Sequence, residues 1–421
     1  MSFFSGGIRR RRRKSSLALV GLSVVVVALV LGFVASAQSF TEQIVVPKMS
    51  IARSGHRATL LPDGRVLVVG GNYFVTTSEI YDPVLNKWKA AGNLSTVRSG
   101  HTATLLANGQ VLVVGGGNSS SSTPTELYDP ATGRWRLGSE PRIRRNGHTA
   151  TLLKNGNVLV AGGDTVYSIT TAELYTAATG QWSDAGNLST LRVLHTATLL
   201  PDGRVLVTGG SRAPTTAAEI YNPASGEWRA TGPMKEQRQA HTATLLRDGR
   251  VLVVGGFPNA IGPYPAPGSP VLFPSTEVYS STTNTWAIGP SMFTPRWGHT
   301  ATLLPDGRVI IIGGYSTGGY SSYAQVQSSV EIFDPANNRW YVARPLSRPR
   351  AYHTATLLAD GTLLVVGGNS VSGQTDTAER YDPSNALLGV QYYLSLVMRN
   401  AQPPFLQPTA APFFPTPTPL S

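Results

Sequence analysis

One stretch, HTATLLPDGRVLVVGG, recurs seven times in near-identical form and holds every histidine of the chain: His56, His101, His148, His195, His241, His299 and His353. Each histidine stands 14 residues ahead of the first glycine of a Gly-Gly pair, without exception. A recurrence at a fixed period near fifty residues means that one supersecondary unit is stacked many times, since a unit of that size cannot bury its apolar face alone. The length of 421 residues is therefore no argument for two or three independent domains.

Each unit reads as four short strands. A run such as His101-Thr102-Ala103-Thr104-Leu105-Leu106 suits a first strand, and Asx-Gly follows at once (Asp63-Gly64, Asn108-Gly109, Asp202-Gly203), a strong hairpin signal. The second strand, as in Val66-Leu67-Val68-Val69, is apolar throughout and so packs on both faces. It ends at Gly70-Gly71, where missing side chains let another backbone or a ring come close. A third strand follows, as in Glu79-Ile80-Tyr81-Asp82-Pro83, and a fourth begins at Trp88. The Glu-to-Trp spacing is 9 residues in six units, and 13 residues separate each of those tryptophans from the next histidine. Four antiparallel strands repeated seven times predict an all-β chain, a seven-bladed β-propeller whose radial closure protects its strand edges.

The Gly-Gly doublet, followed by Tyr81 and then Trp88 with six residues between them, resembles the kelch repeat. The resemblance covers about residues 43–392 and implies a kelch-type propeller of the kind also found in the central domain of galactose-oxidase-like enzymes. Phe333 stands for the tyrosine in the sixth unit, and Leu388 stands where the seventh unit should have tryptophan. The fourth strand of the last blade is thus in question. Counting back 13 residues from His56 gives Gln43, so Gln43-Ile44-Val45-Val46 is expected to close the ring from the N-terminal side, with Leu388 to Val397 the competing segment.

Residues 1–37 carry Arg9 to Arg13 and Lys14, an apolar run over 17–34, and Ala35-Ser36-Ala37. That order reads as a bacterial-type export signal cleaved after Ala37, or as an uncleaved anchor. Either leaves the propeller outside the cytoplasm, secreted or at the cell surface, with the membrane touched only through this segment. The basic cluster also supplies six of the +12 net charge, so the high pI is a poor indicator of nucleic-acid binding and none is expected. With no cysteine, stability must come from blade packing and closure. Residues 393–421 form a Pro/Thr-rich tail suited to an extended spacer.

One histidine per blade, 45 to 58 residues apart and without a nearby partner, is not the converging set that a metal needs. The histidines are expected to be structural, bonded to backbone of their own or a neighbouring blade; no metal or cofactor is expected. An arginine precedes each histidine by three residues: Arg53, Arg98, Arg145, Arg192, Arg238, Arg296 and Arg350. Seven guanidiniums could ring one channel mouth and attract anionic groups. Alternatively, each pairs with the glutamate of a third strand, Glu79 to Glu379, and holds adjacent blades in register.

A site for one asymmetric ligand must come from what differs between blades. The Gly-Gly to Glu distance is 9 to 12 residues in five units but 22 in the fifth and 18 in the sixth. By strand parity these long loops open on the face that holds the arginines. They carry Tyr264 and Phe273, and Tyr320 and Tyr323; close by, Trp297 and Tyr352 stand between arginine and histidine in the sixth and seventh units. Such aromatics could stack on sugars or anchor a peptide. The expectation is an extracytoplasmic, monomeric binding module for a glycan or protein segment with acidic groups. A cofactor-independent sugar-modifying enzyme and a purely structural surface protein are the alternatives. A copper-radical oxidase is disfavoured, since that family's centre uses a tyrosine crosslinked to cysteine.

Overall fold

The computed structural model describes residues 44–72, 74–117, 123–164, 169–210, 215–258, 273–316 and 325–384. The chain divides between Ile44 and Val45, and the elements below all belong to the second unit, Val45–Ser421. The export or anchor segment 1–37, the tail 393–421 and the competing closure segment 388–397 lie outside the described residues. Among the described residues no helix is long and apolar enough to cross a membrane.

Each unit forms one antiparallel sheet whose strands pair in chain order. Blade one comprises Arg57–Leu60, Val66–Val69, Thr77–Asp82 and Lys87–Asn93. Blade two comprises Thr102–Leu105, Val111–Val114, Glu126–Asp129 and Arg134–Leu137, and blades three to six repeat the pattern. Blade seven shows three paired strands, Thr354–Leu357, Leu363–Val366 and Ala378–Tyr381, with a small hairpin, Asn369–Ser370 and Gly373–Gln374, inserted before the last. First strands of neighbouring blades lie side by side all the way round, blade seven against blade one included. The chain is a closed seven-bladed ring.

The turn after the first strand is longer than the two-residue hairpin that Asp-Gly suggests. Residues 61–65 connect the strands, with the Leu61 N–H donating to the Arg65 carbonyl at 2.8 Å and the Gly64 N–H donating to the Leu61 carbonyl at 3.0 Å. Only Gly64 has positive φ, +86°, while the Asp63 carboxylate accepts from the Arg65 N–H at 3.0 Å. Pro62 sets φ for the second position of a type I turn, and glycine is the residue favoured at its end.

The core is distributed as seven seams between blades. Second strands such as Val66–Val69 are buried at every position because alternate side chains enter opposite seams. Val66 and Val68 pack toward blade seven, Leu67 and Val69 toward blade two. Each such side chain contributes about 1.5–3 kcal/mol on burial. On the outside, Tyr81 meets Trp88 at 5.1 Å between ring centroids, and Phe333 meets Trp340 at the same distance, so the tyrosine-to-phenylalanine change keeps the ring contact. The tryptophan indoles also tie blades together: Trp135 Nε1 donates to the Ala91 carbonyl and Trp228 Nε1 to the Ala185 carbonyl of the preceding blade.

At the closure, the segment entering blade one takes the place that a fourth-strand exit has elsewhere. The Met49 N–H donates to the Asp376 carbonyl at 2.9 Å, as the Leu94 N–H does to Thr76 and the Leu346 N–H to Ser328. Trp88 Nε1 donates to the Pro47 carbonyl, and Val46 and Met49 fill the apolar seam between blades seven and one. Gln43 itself lies outside the described residues, and Ile44 to Val46 are not paired as a strand.

Candidate binding face and channel

The seven arginines are all buried, none more than 2% exposed, so they are not the anion-attracting ring at the mouth that their number suggested. Each is bonded to the third-strand glutamate of its own blade, from Arg53–Glu79 at 3.0 Å to Arg350–Glu379 at 3.1 Å. Its Nη1 also donates to the carbonyl of the first glycine of that blade's doublet, as Arg192 does to Gly209 at 2.8 Å. The glutamate completes its shell with backbone N–H groups of the incoming connection; Glu219 accepts from Ser189 at 2.7 Å. Burial lowers the Arg192 guanidinium below its ordinary value and the Glu219 contacts oppose that shift, leaving it charged.

The pairing lies within a blade, which corrects the expectation that it joins two. The inter-blade tie is made by the same arginine's carbonyl, which accepts from the second glycine of the preceding doublet: Gly71 to Arg98, Gly163 to Arg192 and, across the closure, Gly368 to Arg53. The doublet is glycine for this reason. A Cβ on Gly70 would sit 2.7 Å from the His101 ring and 2.8 Å from the Arg98 carbonyl, and Gly70 has φ of +61°.

Six of the seven histidines bond through Nε2 to a threonine hydroxyl of the preceding blade. Nε2 of His148 lies 3.0 Å from the Thr102 hydroxyl of the preceding blade, and His195, His241, His299, His353 and His56 meet Thr149, Thr196, Thr242, Thr300 and Thr354 in the same way. Burial, with the arginine charges adding to it, holds His56, His195, His241 and His353 down to about 3, so they are neutral at pH 7. Among the described residues no group of three or more His, Cys, Asp or Glu is placed to hold a metal ion.

Blade one departs from this scheme. Arg57 occupies the position that threonine holds in the other six first strands, and among the described residues neither ring nitrogen of His101 has a hydrogen-bond partner. A second circuit breaks at the same seam. The residue before each histidine has positive φ and donates its N–H to its counterpart one blade back: Gly147 to Gly100, Leu194 to Gly147, Ala240 to Leu194, Gly298 to Ala240, Tyr352 to Gly298 and Gly55 to Tyr352. The remaining link, Gly100 to Gly55, is not made. Sequence reasoning overlooked Arg57, although a single non-threonine after one of seven histidines was there to be seen.

Of the aromatics singled out from the sequence, Trp297 and Tyr352 do come together, with Phe257 and Tyr315, where blades five to seven meet. Trp297 is fully buried, 5.1 Å from Phe257 and 4.8 Å from Tyr315, so it is core and offers no stacking surface. Tyr352 is half-buried at an edge-on angle to Trp297. The Phe273 ring lies 5.1 Å from the Arg238 guanidinium, a cation–π contact. Tyr264, Tyr320 and Tyr323 lie outside the described residues. Sequence reasoning also passed over Phe74 and Val371, 91% and 84% exposed, which with Leu191 and Phe293 project from loops on the face where the arginine connections run.

The ring, its seven seams and the repeated arginine rivets define the class: a closed β-propeller built from one motif. A family profile described as the kelch motif matches residues 296–347. The chain is 30% identical to beta-scruin of Limulus polyphemus over 118 residues, 27% of this chain and 13% of that protein. It is 40% identical to kelch-like protein 15 of Homo sapiens over 67 residues, 16% of this chain and 10% of that one. The matched segments thus span only about a tenth of these relatives. The solved structure of a fungal alcohol oxidase of the AA5 family, in complex with copper, shares the fold with a TM-score of 0.65 at 18% identity, over 82% of this chain and 76% of that one. The kelch motif at residues 296–347 and the seven repeated four-stranded blades together support kelch repeats as the unit of this fold.

Proposed function

We propose that this kelch propeller is an extracytoplasmic interaction module that takes an exposed segment of a partner protein on the face formed by the loops between second and third strands and the connections between blades. The supporting observation is that Phe74, Val371, Leu191 and Phe293 stand exposed on loops of that face, drawn from four different blades or connections; Val84 and Leu85, also exposed, lie on a single turn of the opposite face. The extracytoplasmic setting rests on the composition of residues 1–37.

Recognition of acidic groups loses its basis, because each arginine is committed to a glutamate. The glycan reading loses Trp297, its best stacking plane, to the core. The test is a screen of the exported protein against peptide and glycan arrays, in parallel with the double variant Phe74→Ala/Val371→Ala. Peptide binding that drops at least tenfold in the variant supports the reading. Binding unchanged in the variant, or seen only on glycans, refutes it.

A further inference from the structure

Two hydrogen-bond circuits run round the channel, threonine to histidine and backbone N–H to backbone carbonyl, and both are interrupted at one place, the seam between blades one and two. We propose that this seam is a binding site for one small oxyanion of the phosphate or carboxylate class, held by the Arg57 guanidinium and the His101 imidazole.

The charge balance points to an anion. Arg57 lies on an innermost strand and has no carboxylate partner among the described residues; its hydrogen bond is a long one, 3.5 Å, to the His56 carbonyl. The third-strand carboxylates of blades one and two are already engaged, Glu79 by Arg53 and Ser50, Glu126 by Arg98 and Ser95. Arg57 is partly buried, carries five donors and stays protonated, and a two-oxygen acceptor answers both its charge and its fork geometry.

The neighbouring donors are arranged for the same guest. His101 is fully buried, and at six seams the equivalent ring is satisfied by a threonine hydroxyl that Arg57 has displaced here. A neutral imidazole can donate one N–H to an oxyanion. The Gly100 N–H, bonded to the previous blade in every equivalent residue, makes no such bond here, and the Ser99 hydroxyl lies 3.8 Å from where a Gly55 Cβ would be. Three kinds of donor and one uncompensated positive charge therefore share one seam.

The test is isothermal titration of the purified full chain with sodium phosphate and, separately, sodium acetate, with sodium chloride at equal ionic strength as the control for screening. The wild type should bind one oxyanion per chain, the tighter of the two naming its class, and its Tm should rise by a few degrees beyond the chloride control. Arg57→Thr copies the other six blades and so should fold. It should bind neither anion and, in chloride, should melt at or above the wild type because the threonine–histidine bond is restored. Arg57→Lys should bind at least tenfold more weakly, since an ammonium lacks the fork. The proposal is overturned if Arg57→Thr binds as the wild type does, or if neither anion binds the wild type beyond the chloride control.

Discussion

The Nε2 of His56 lies 2.9 Å from the Oγ1 of Thr354, a hydroxyl 298 residues further along the chain. The same contact joins every other pair of adjacent blades except one and two, so the closure of the ring uses the chemistry of an ordinary seam. Closure also depends on residues 46–49, which lie in front of the first full repeat.

Met49 is 3% exposed between blades seven and one, so Met49→Asp places an unpaired carboxyl in an apolar seam and should cost about 3–5 kcal/mol. Val45→Asp, at a side chain 83% exposed, should change stability by no more than about 0.5 kcal/mol. Thermal unfolding of the two variants checks this; equal melting temperatures would show that the segment does not close the ring.

Removing one partner of an arginine rivet should be severe. Arg192→Met leaves Glu219, 2% exposed, without its charge partner and takes the donor from the Gly209 and Ala217 carbonyls, an expected loss of roughly 3–5 kcal/mol. A double-mutant cycle with Glu219→Leu should give a coupling of about 1–3 kcal/mol. A coupling near zero would mean that the pair is incidental to the blade.

Acid should unfold the ring through its histidines. Folded values near 3 lie below the ordinary 6.5, so between those limits the unfolded chain binds more protons and stability rises with pH. The contribution is complete above pH 6.5 and is lost as pH falls toward 3, about 2 kcal/mol per histidine by pH 5. Calorimetry at pH 5 in buffers of different ionisation enthalpy should show net proton uptake on unfolding, reduced by one in His195→Gln. Proton release in that range would contradict the burial of these rings.

Trp297→Ala distinguishes core from binding surface. Its ring is enclosed by Phe257, Tyr315 and Tyr352, so truncation should cost about 3–5 kcal/mol, while Phe74→Ala on the open face should cost no more than about 0.5. Chemical denaturation reads both; a Trp297→Ala variant as stable as the parent would return that ring to the surface.

Much of this was legible before any coordinates. The second strand's unbroken apolar run announces burial on both faces, and Val66 to Val69 do divide between two seams. Trp297 could not be placed from its sequence position, because whether a loop aromatic faces solvent depends on what the next two blades bring against it. Asp63-Gly64 marked the hairpin, but that residues 61–65 connect the strands, with Pro62 starting a type I turn, is seen only in the structure.

The repeat by itself determined the fold, because a constant register of strands, glycines and tryptophans admits one way of stacking seven sheets. It also placed an arginine and a glutamate in every blade. Only the tertiary structure decided that those charges neutralise one another in the interior instead of facing a ligand. Only the closed ring showed that Arg57 stands beside the His101 seam with no carboxylate partner among the described residues. Local pattern sets which way a side chain leaves the backbone; what it meets there is set by residues of another blade.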